Sequence, residues 1–555
     1  MRIDPASESY YQHCVHNAGL VALIFNHFGG RFGSIRRPLR EVARYKYPVI
    51  FRSTAEVIAR AFISLQGGPA SLPTVRRCHC AYILPIHSKA TTILSGLYPR
   101  SGPMMLITEL FAFFDPMFSF LKKGNTLLLL AAATCAVDQK CASFTFESNI
   151  TKLIASTFFE AGAHVNISTP YEAIDINTLP AFCRVQVEIT TNATANSTAL
   201  TEVWLPTDWN GRFLTIGNSG FSGSVSIAEL AFTAVKQGFA GVSTNSGHSA
   251  SQDNGTWALG NDNAMIDFGW RAMHLSVITG KEIVQKFYGR SHTKAYYTGC
   301  SEGGRQGLKE VQEFPDDFDG VVVGSPANWA SHLISSLVRG SLNVLPTTSS
   351  RWIPENTWTN VIHPEVLRQC DELDGIKDEV ISNPLLCSFR PETLACRQNQ
   401  DPETCLTISQ IKTVHKIYSD YYETNQTYIF GGFYPGSEKG FSMVFGPDTI
   451  TLGTQYFQDW ITNDTTWDIS RFDLDTILLA DSINPGQSNA ISPDLRRFTD
   501  HKGKVLHYAG WAENLISAGN SLHYYETVNS FMRANTNIEM DDFYRLFMVP
   551  GMAHW

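Results

Sequence analysis

From about Phe182 onward the apolar positions of this chain follow two alternating rhythms. "CRVQVEIT" and "TEVWLP" read as two strands around an Asn/Thr-rich turn at 191–198. "RFLTIGNSGFSGS" runs a strand into a glycine-rich loop, and "QGFAGVSTNSGHS" repeats the form. "FGWRAMHLSVITGKEIVQKFYG" spaces its apolar residues for a helix, "KAYYTGCSEGGRQGLKEVQEFP" reads as strand, sharp turn and helix, and "FDGVVVGSPA" as a buried strand. Between roughly 340 and 490 the texture changes to aromatics and cysteine pairs. The strand–helix rhythm then resumes at "GKVLHYAGWAENLISAGNSLHYYETVNSFM" and "FYRLFMVPGMAH". Such alternation predicts an α/β fold with a parallel sheet covered on both faces. Its first part would span 137–340, an inserted domain 341–490 and its second part 491–555.

Upstream of this rhythm the pattern is poor, and charge changes the picture. The whole chain of 555 residues carries a formal net charge of −9, which argues against a partner held through its phosphates. Residues 1–116 nevertheless hold 13 Lys/Arg against 6 Asp/Glu. Next come Met117, the Lys122-Lys123 pair, an apolar run from Leu127 to Ala133 and the small residues Thr134-Cys135-Ala136. That is the layout of a secretory signal peptide, and the run is short for a membrane span; a buried helix is the alternative. The sequon Asn-X-Ser/Thr occurs at Asn149, Asn166, Asn192, Asn196, Asn254, Asn425 and Asn463 and nowhere in residues 1–136. The expectation is a secreted glycoprotein that begins near residue 137, with 117–136 as its signal and 1–116 as an extension.

Candidate chemistry concentrates at Gly299-Cys300-Ser301-Glu302-Gly303, the one G-x-S-x-G in the chain. A serine on a tight strand-to-helix turn is strained, and small neighbours let the turn close. The N–H of Glu302 would then open a helix facing any oxyanion beside Ser301; the alternative is a structural turn. Such a serine needs a base, and the base an acid. In the order serine, acid, histidine, Glu513 of "LHYAGWAENLIS" and His554 of "LFMVPGMAHW" fit, with His507 and His523 as competing bases. In "CDELDGIKDEVISNPLLC", Asp371, Asp374 and Asp378 sit in a short loop around Gly375. This all-oxygen set suits Ca²⁺, or it is a solvated acidic turn.

The segments "GNSGF", "GFAGVSTNSGHS", "IDFGWRAMH", "YYTGCSEGGRQG", "FPDDFDGVVVGSPA", "GWAENLISAGNS" and "FYRLFMVPGMAH" together resemble the tannase/feruloyl esterase family from about residue 140 to the end. The resemblance implies an α/β-hydrolase core, a lid domain and hydrolysis of phenolic-acid esters by Ser301, Glu513 and His554. The substrate would be a small-molecule or plant-polymer aromatic ester, without nucleic-acid or membrane partners. It also implies a structural Ca²⁺ held by Asp371, Asp374 and Asp378 carboxylates with the Ile376 and Val380 carbonyls. A Gly220 N–H from the "GNSGF" loop would complete the oxyanion hole with Glu302. Expected disulfides are Cys370–Cys387 around the loop, Cys396–Cys405, and Cys141–Cys183. Three features depart from the family. The acid is Glu rather than Asp; Trp555 stands where the family pairs a cysteine with the one at Cys300; and family chains continue past this histidine. The alternative expectation is a catalytically impaired or truncated family homologue without efficient turnover.

Overall fold

The computed structural model describes residues 138–169, 172–446 and 450–554. The expected extension 1–116, the signal-like segment 117–136 and Trp555 lie outside the described residues. The main sheet has nine strands: β1 (Thr151–Phe159), β2 (Phe182–Asn192), β3 (Ser197–Pro206), β4 (Arg212–Ile216), β5 (Ala240–Thr244), β6 (Lys294–Cys300), β7 (Gly320–Gly324), β8 (Lys504–Gly510) and β9 (Tyr544–Val549). They lie side by side in the order β1-β2-β3-β5-β4-β6-β7-β8-β9.

The sheet is mixed rather than wholly parallel, which corrects the expectation. β4 to β9 are parallel, whereas β1–β2, β2–β3 and β3–β5 pair antiparallel. Four residues, 193–196, join β2 to β3, a connection that permits only a hairpin; parallel strands need a crossover of a dozen or more. Strand β1, at the sheet edge, was not legible because only Thr151 is buried, even Ile154 is exposed, and the strand lacks a clean alternation. Both faces are covered, as expected. Val321 and Val323 of β7 join a core with helix α1 (Ala272–Tyr288), helix α2 (Glu302–Glu313) and a late helix at Ala518–Asn535, while Val322 between them packs with Leu506 and Tyr508 on the other face. That alternation is the period-2 geometry of a strand buried on both sides.

The insertion leaves the core at the carboxyl end of β7 and returns before β8. Helix α3 (Ala330–Val344) opens it, and the expected boundary at 341 falls inside this helix. The reason is packing: Ile334 and Val338 of α3 lie in one cluster with Tyr456, Phe457, Trp460 and Trp467, and Val344 lies in another with Trp358, Phe441 and Phe445. The helix therefore belongs to the lid's core. Disulfides Cys370–Cys387 and Cys396–Cys405 close short loops here, and Cys141–Cys183 ties the chain before β1 to β2. A loop the size of the first contributes about 3 kcal/mol by restricting the unfolded chain.

Candidate active site

Ser301 occupies the N-cap of α2, directly after β6, with φ 58° and ψ −120°. A non-glycine residue at positive φ is strained, and strain of this kind persists only where surroundings hold it. Those surroundings are visible. The Ser301 N–H donates to the Gly324 carbonyl at 2.9 Å, and the Ser301 carbonyl accepts from Ala327 N–H at 3.0 Å. The glycines of the motif are needed because backbone crosses backbone. A Cβ at Gly299 would lie 2.7 Å from the Gly303 carbonyl, and one at Gly303 would lie 2.8 Å from the Asn218 oxygen.

The Glu302 side chain turns inward rather than to the site. Arg305 forks onto its carboxylate, with Nε 2.8 Å from Oε2, and the same guanidinium donates to the carbonyls of Phe268, Gly269 and Ser488. Burial pushes the Glu302 carboxyl up, against the pull of Arg305. The N–H of Glu302, in the first turn of α2, lies among the helix donors that have no intrahelical acceptor.

Glu513 and His554 follow the carboxyl ends of β8 and β9, on the same edge of the sheet as Ser301. Nδ1 of His554 is 2.8 Å from Oε1 of Glu513, and both side chains are fully buried. Because a carboxylate only accepts, Nδ1 carries the proton, and the Nε2 lone pair is left to take one. Glu513 Oε1 also accepts the N–H groups of Leu515 and Ile516, at 3.0 and 3.1 Å, so the acid is itself held in a local turn. The histidine loop continues the strand pairing beyond the sheet: Trp511 N–H donates to Val549 O, and Ala512 N–H donates to Met552 O. Gly510 is required here, since a Cβ on it would lie 1.9 Å from the Met552 oxygen. Asn514, which sequence reasoning missed, accepts the His554 N–H on Oδ1 at 3.2 Å and donates from Nδ2 to Gly440 O in the lid. Its only signal in the sequence was its place beside the acid.

The competing bases are occupied elsewhere. His507 lies within β8, fully buried, against the hydroxyls of Tyr544 and Ser521 at 2.8 and 2.9 Å; burial lowers its pKa to about 3. His523 stacks on Tyr428 at 4.2 Å, in a cluster with Trp329.

Gly220 lies in the loop after β4, at φ 52°, where a Cβ would meet the Gln252 carbonyl oxygen at 2.7 Å. Its neighbour Phe221 packs against Trp460 from the lid, and that indole donates to Gly255 O at 2.9 Å. The insertion thus reaches the glycine-rich loop beside the serine.

In the acidic loop, Asp371 accepts the N–H groups of Asp378 and Glu379, Asp374 accepts Ile376 N–H and the Ser382 hydroxyl, and Asp378 accepts Val380 N–H. Gly375 turns the loop at φ 87°. Each carboxylate offers about four lone-pair sites, so these bonds leave acceptors, and an all-oxygen set is of the type a hard cation takes, but the three carboxylates do not bring their oxygens within 4.8 Å of one another as the His274 cluster does. The loop is not remote from the serine–histidine edge: a Cβ on Gly551, three residues before His554, would lie 3.2 Å from Val380 Cγ1. Elsewhere among the described residues, His274, Glu310 and Asp317 bring ligand atoms together, but Asp317 already accepts from Lys281 Nζ at 3.1 Å and from His274 Nδ1 at 2.8 Å. That cluster is an ion network. Of the seven sequons, six place the asparagine at an exposed position; Asn192 is half-buried and donates to Asn263 Oδ1.

Comparison with known proteins bears on what this edge does. A family model described as "Tannase and feruloyl esterase" matches residues 183–555. "Probable feruloyl esterase B-1" of Aspergillus oryzae is 37% identical over 425 residues, covering 75% of this chain and 77% of that one. "Probable feruloyl esterase B-2" of Aspergillus flavus is 35% identical over 448 residues, covering 78% and 82%. The crystal structure of feruloyl esterase B from Aspergillus oryzae matches with a TM-score of 0.70 at 36% identity, over 75% of this chain and 83% of that chain. Tannin acyl hydrolase from Aspergillus niger, at 23% identity and a TM-score of 0.60 over 76% and 82%, shares the fold.

Proposed function

The chain belongs to the tannase and feruloyl esterase family of carboxylic ester hydrolases, and we propose that it cleaves phenolic-acid esters through an acyl-enzyme on Ser301. The observation that carries this reading is the strained serine at the end of β6 on the same sheet edge as a buried, hydrogen-bonded His554–Glu513 pair. His554 Nε2 takes the proton as Ser301 Oγ attacks the ester carbonyl carbon. Negative charge collects on the carbonyl oxygen, where the Glu302 N–H and a Gly220 N–H receive it. Collapse expels the alcohol, which takes the proton from His554. Water then attacks the acyl carbon, His554 accepts its proton and returns it to Ser301, and the phenolic acid leaves. Glu513 holds the imidazole in the tautomer this cycle needs and stabilises its charged form.

The lid would supply the aromatic wall against which a hydroxylated ring stacks, and its buried Trp460 packs on Phe221 of the glycine-rich loop. Asp371, Asp374 and Asp378, with the Ile376 and Val380 carbonyls, would hold a structural Ca²⁺ in that lid. Three disulfides and the exposed sequons accord with a secreted glycoprotein. Among the described residues no helix is long and apolar enough to cross a membrane.

The test is hydrolysis of methyl ferulate and methyl gallate by the purified protein. An active serine would also be labelled by an aryl phosphonate, with the mass shift on the peptide bearing Ser301. Inactivity on both esters would reject the substrate class, and labelling at any other residue would reject the nucleophile. Calcium is tested separately by calorimetric unfolding with and without EGTA. Ca²⁺ at a hundred times its Kd should stabilise by about 2.7 kcal/mol, and an unmoved transition rejects the metal.

A further inference from the structure

The two proposed oxyanion donors sit on separate pieces of chain. The Glu302 N–H opens α2, and the Gly220 N–H belongs to the loop after β4. Their spacing must be set by whatever joins those pieces. Four residues after Glu302, one buried side chain does so. Gln306 is 1% exposed and makes a two-point contact with Asn218: its Oε1 accepts the Asn218 N–H at 2.9 Å, and its Nε2 donates to Asn218 Oδ1 at 3.0 Å. Asn218 lies two residues before Gly220. Its own Nδ2 donates to Ser224 O at 2.9 Å, closing the loop across its base, and to Thr244 O at 2.8 Å at the end of β5. Ser246, at φ 55° and fully buried, donates its hydroxyl to Asn218 Oδ1 at 2.8 Å, and Gln306 Nε2 approaches that hydroxyl at 3.3 Å. The Asn218 amide thus has both donors used and its oxygen doubly bonded. Beneath this contact the backbones touch, with Gly217 and Asn218 lying on Gly303.

We infer that Gln306 is a positioning residue for ester hydrolysis, holding the glycine-rich loop at the distance from the α2 N-terminus that the oxyanion requires. This rests on the esterase reading above. A purely structural glutamine would contribute to folding and leave the chemistry alone. The geometry favours the positioning role because both ends of the amide are spent on one residue of the loop. Without Gln306, Gly303 still packs on the Gly217 and Asn218 backbone, but the hydrogen bonds from α2 that fix the rotation of the Asn218 peptide are gone. A donor misplaced by about 1 Å costs on the order of a hundredfold in rate.

The experiment compares wild type with Gln306→Met, which removes both contacts at similar length, and Gln306→Glu, which removes only the donor. Three quantities are measured on each folded protein: kcat and KM on a phenolic ester, the Ki of an arylboronic acid, and the Ki of the free product acid. Boron accepts Ser301 Oγ and its oxygen enters the oxyanion hole, so this inhibitor reports the hole, whereas the product acid reports ground-state binding. Active serine is counted by phosphonate titration so that misfolded material is corrected for. The expected result is a kcat about tenfold to a hundredfold lower in Gln306→Met. Boronate Ki should rise in step, with KM and product Ki within about twofold of wild type, and Gln306→Glu should be intermediate or equal. The inference is overturned if kcat per titrated serine is unchanged, or if boronate and product acid weaken together. Wild type that neither hydrolyses the ester nor binds the boronate would instead sink the esterase reading.

Discussion

Ser301 and His554 lie on one sheet edge but are held in unlike ways. The serine is built into the core. It caps a twelve-residue helix whose buried side chains Arg305, Gln306 and Leu308 anchor it to three other parts of the molecule, and its turn closes through glycine backbone contacts. The histidine rides on a short loop after the last strand. Its grip comes from the neighbouring loop, through Glu513 and Asn514, and from the lid, through Val380 against Gly551 and Gly440 against Asn514. The serine is fixed by core contacts of its strand, turn and helix, and the histidine by a neighbouring loop and the lid. Damage to the lid should therefore reach the histidine before it reaches the serine.

The largest effect expected on this contrast is at the serine itself. Ser301→Ala should lower kcat by roughly 10⁵- to 10⁶-fold, read as residual turnover of methyl ferulate; turnover within tenfold of wild type would remove Ser301 from the chemistry. Glu513→Gln should cost about 10³- to 10⁴-fold, because the amide would favour the wrong tautomer of His554. Glu513→Asp, which keeps the charge but shortens the reach, should recover part of that loss. Asn514→Ala should be milder, about tenfold to a hundredfold in kcat with KM little changed, since it frees the His554 backbone while leaving the imidazole–carboxylate bond. A loss equal to that of Glu513→Gln would mean that the two loops collapse together.

The smallest effect concerns pH and the strand histidine that competes with His554. His507 is fully buried, with its pKa lowered to about 3, against about 6.5 unfolded. Between those values the unfolded chain binds the proton and the folded chain does not. His507 therefore costs stability progressively as pH falls from 6.5 towards 3, with a limiting slope of about 1.4 kcal/mol per pH unit. Denaturation midpoints between pH 7 and 4 should fall less steeply in His507→Asn than in wild type. Equal slopes would show that His507 does not contribute.

Legibility followed the same division. The turn at Ser301 could be read because strand, glycines and helix are adjacent in the chain, and Glu513 and His554 could be named because both follow late strands in the order that a serine, acid and base require. Asn514 and Gln306 could not be singled out. One is a polar residue beside the acid and the other an uncharged residue on a helix, and each gains its meaning from a partner 40 or 88 positions away. For the acidic loop, its distance along the chain suggested independence from the serine and histidine, yet folding sets Val380 against the histidine loop.

By itself the sequence determined the elements of the core from β2 onward, the strand–turn–helix at Ser301, the pairs of cysteines that join and the family to which the chain belongs. These depend on periodicity, on local turn chemistry and on residues that must be glycine or cysteine wherever the chain goes. The tertiary structure alone decided the mixed direction of the sheet, the membership of α3 in the lid, and the contacts that hold the oxyanion loop and the histidine. Those are set by which surfaces meet, and a contact between residues far apart in the chain leaves no pattern at either of its ends.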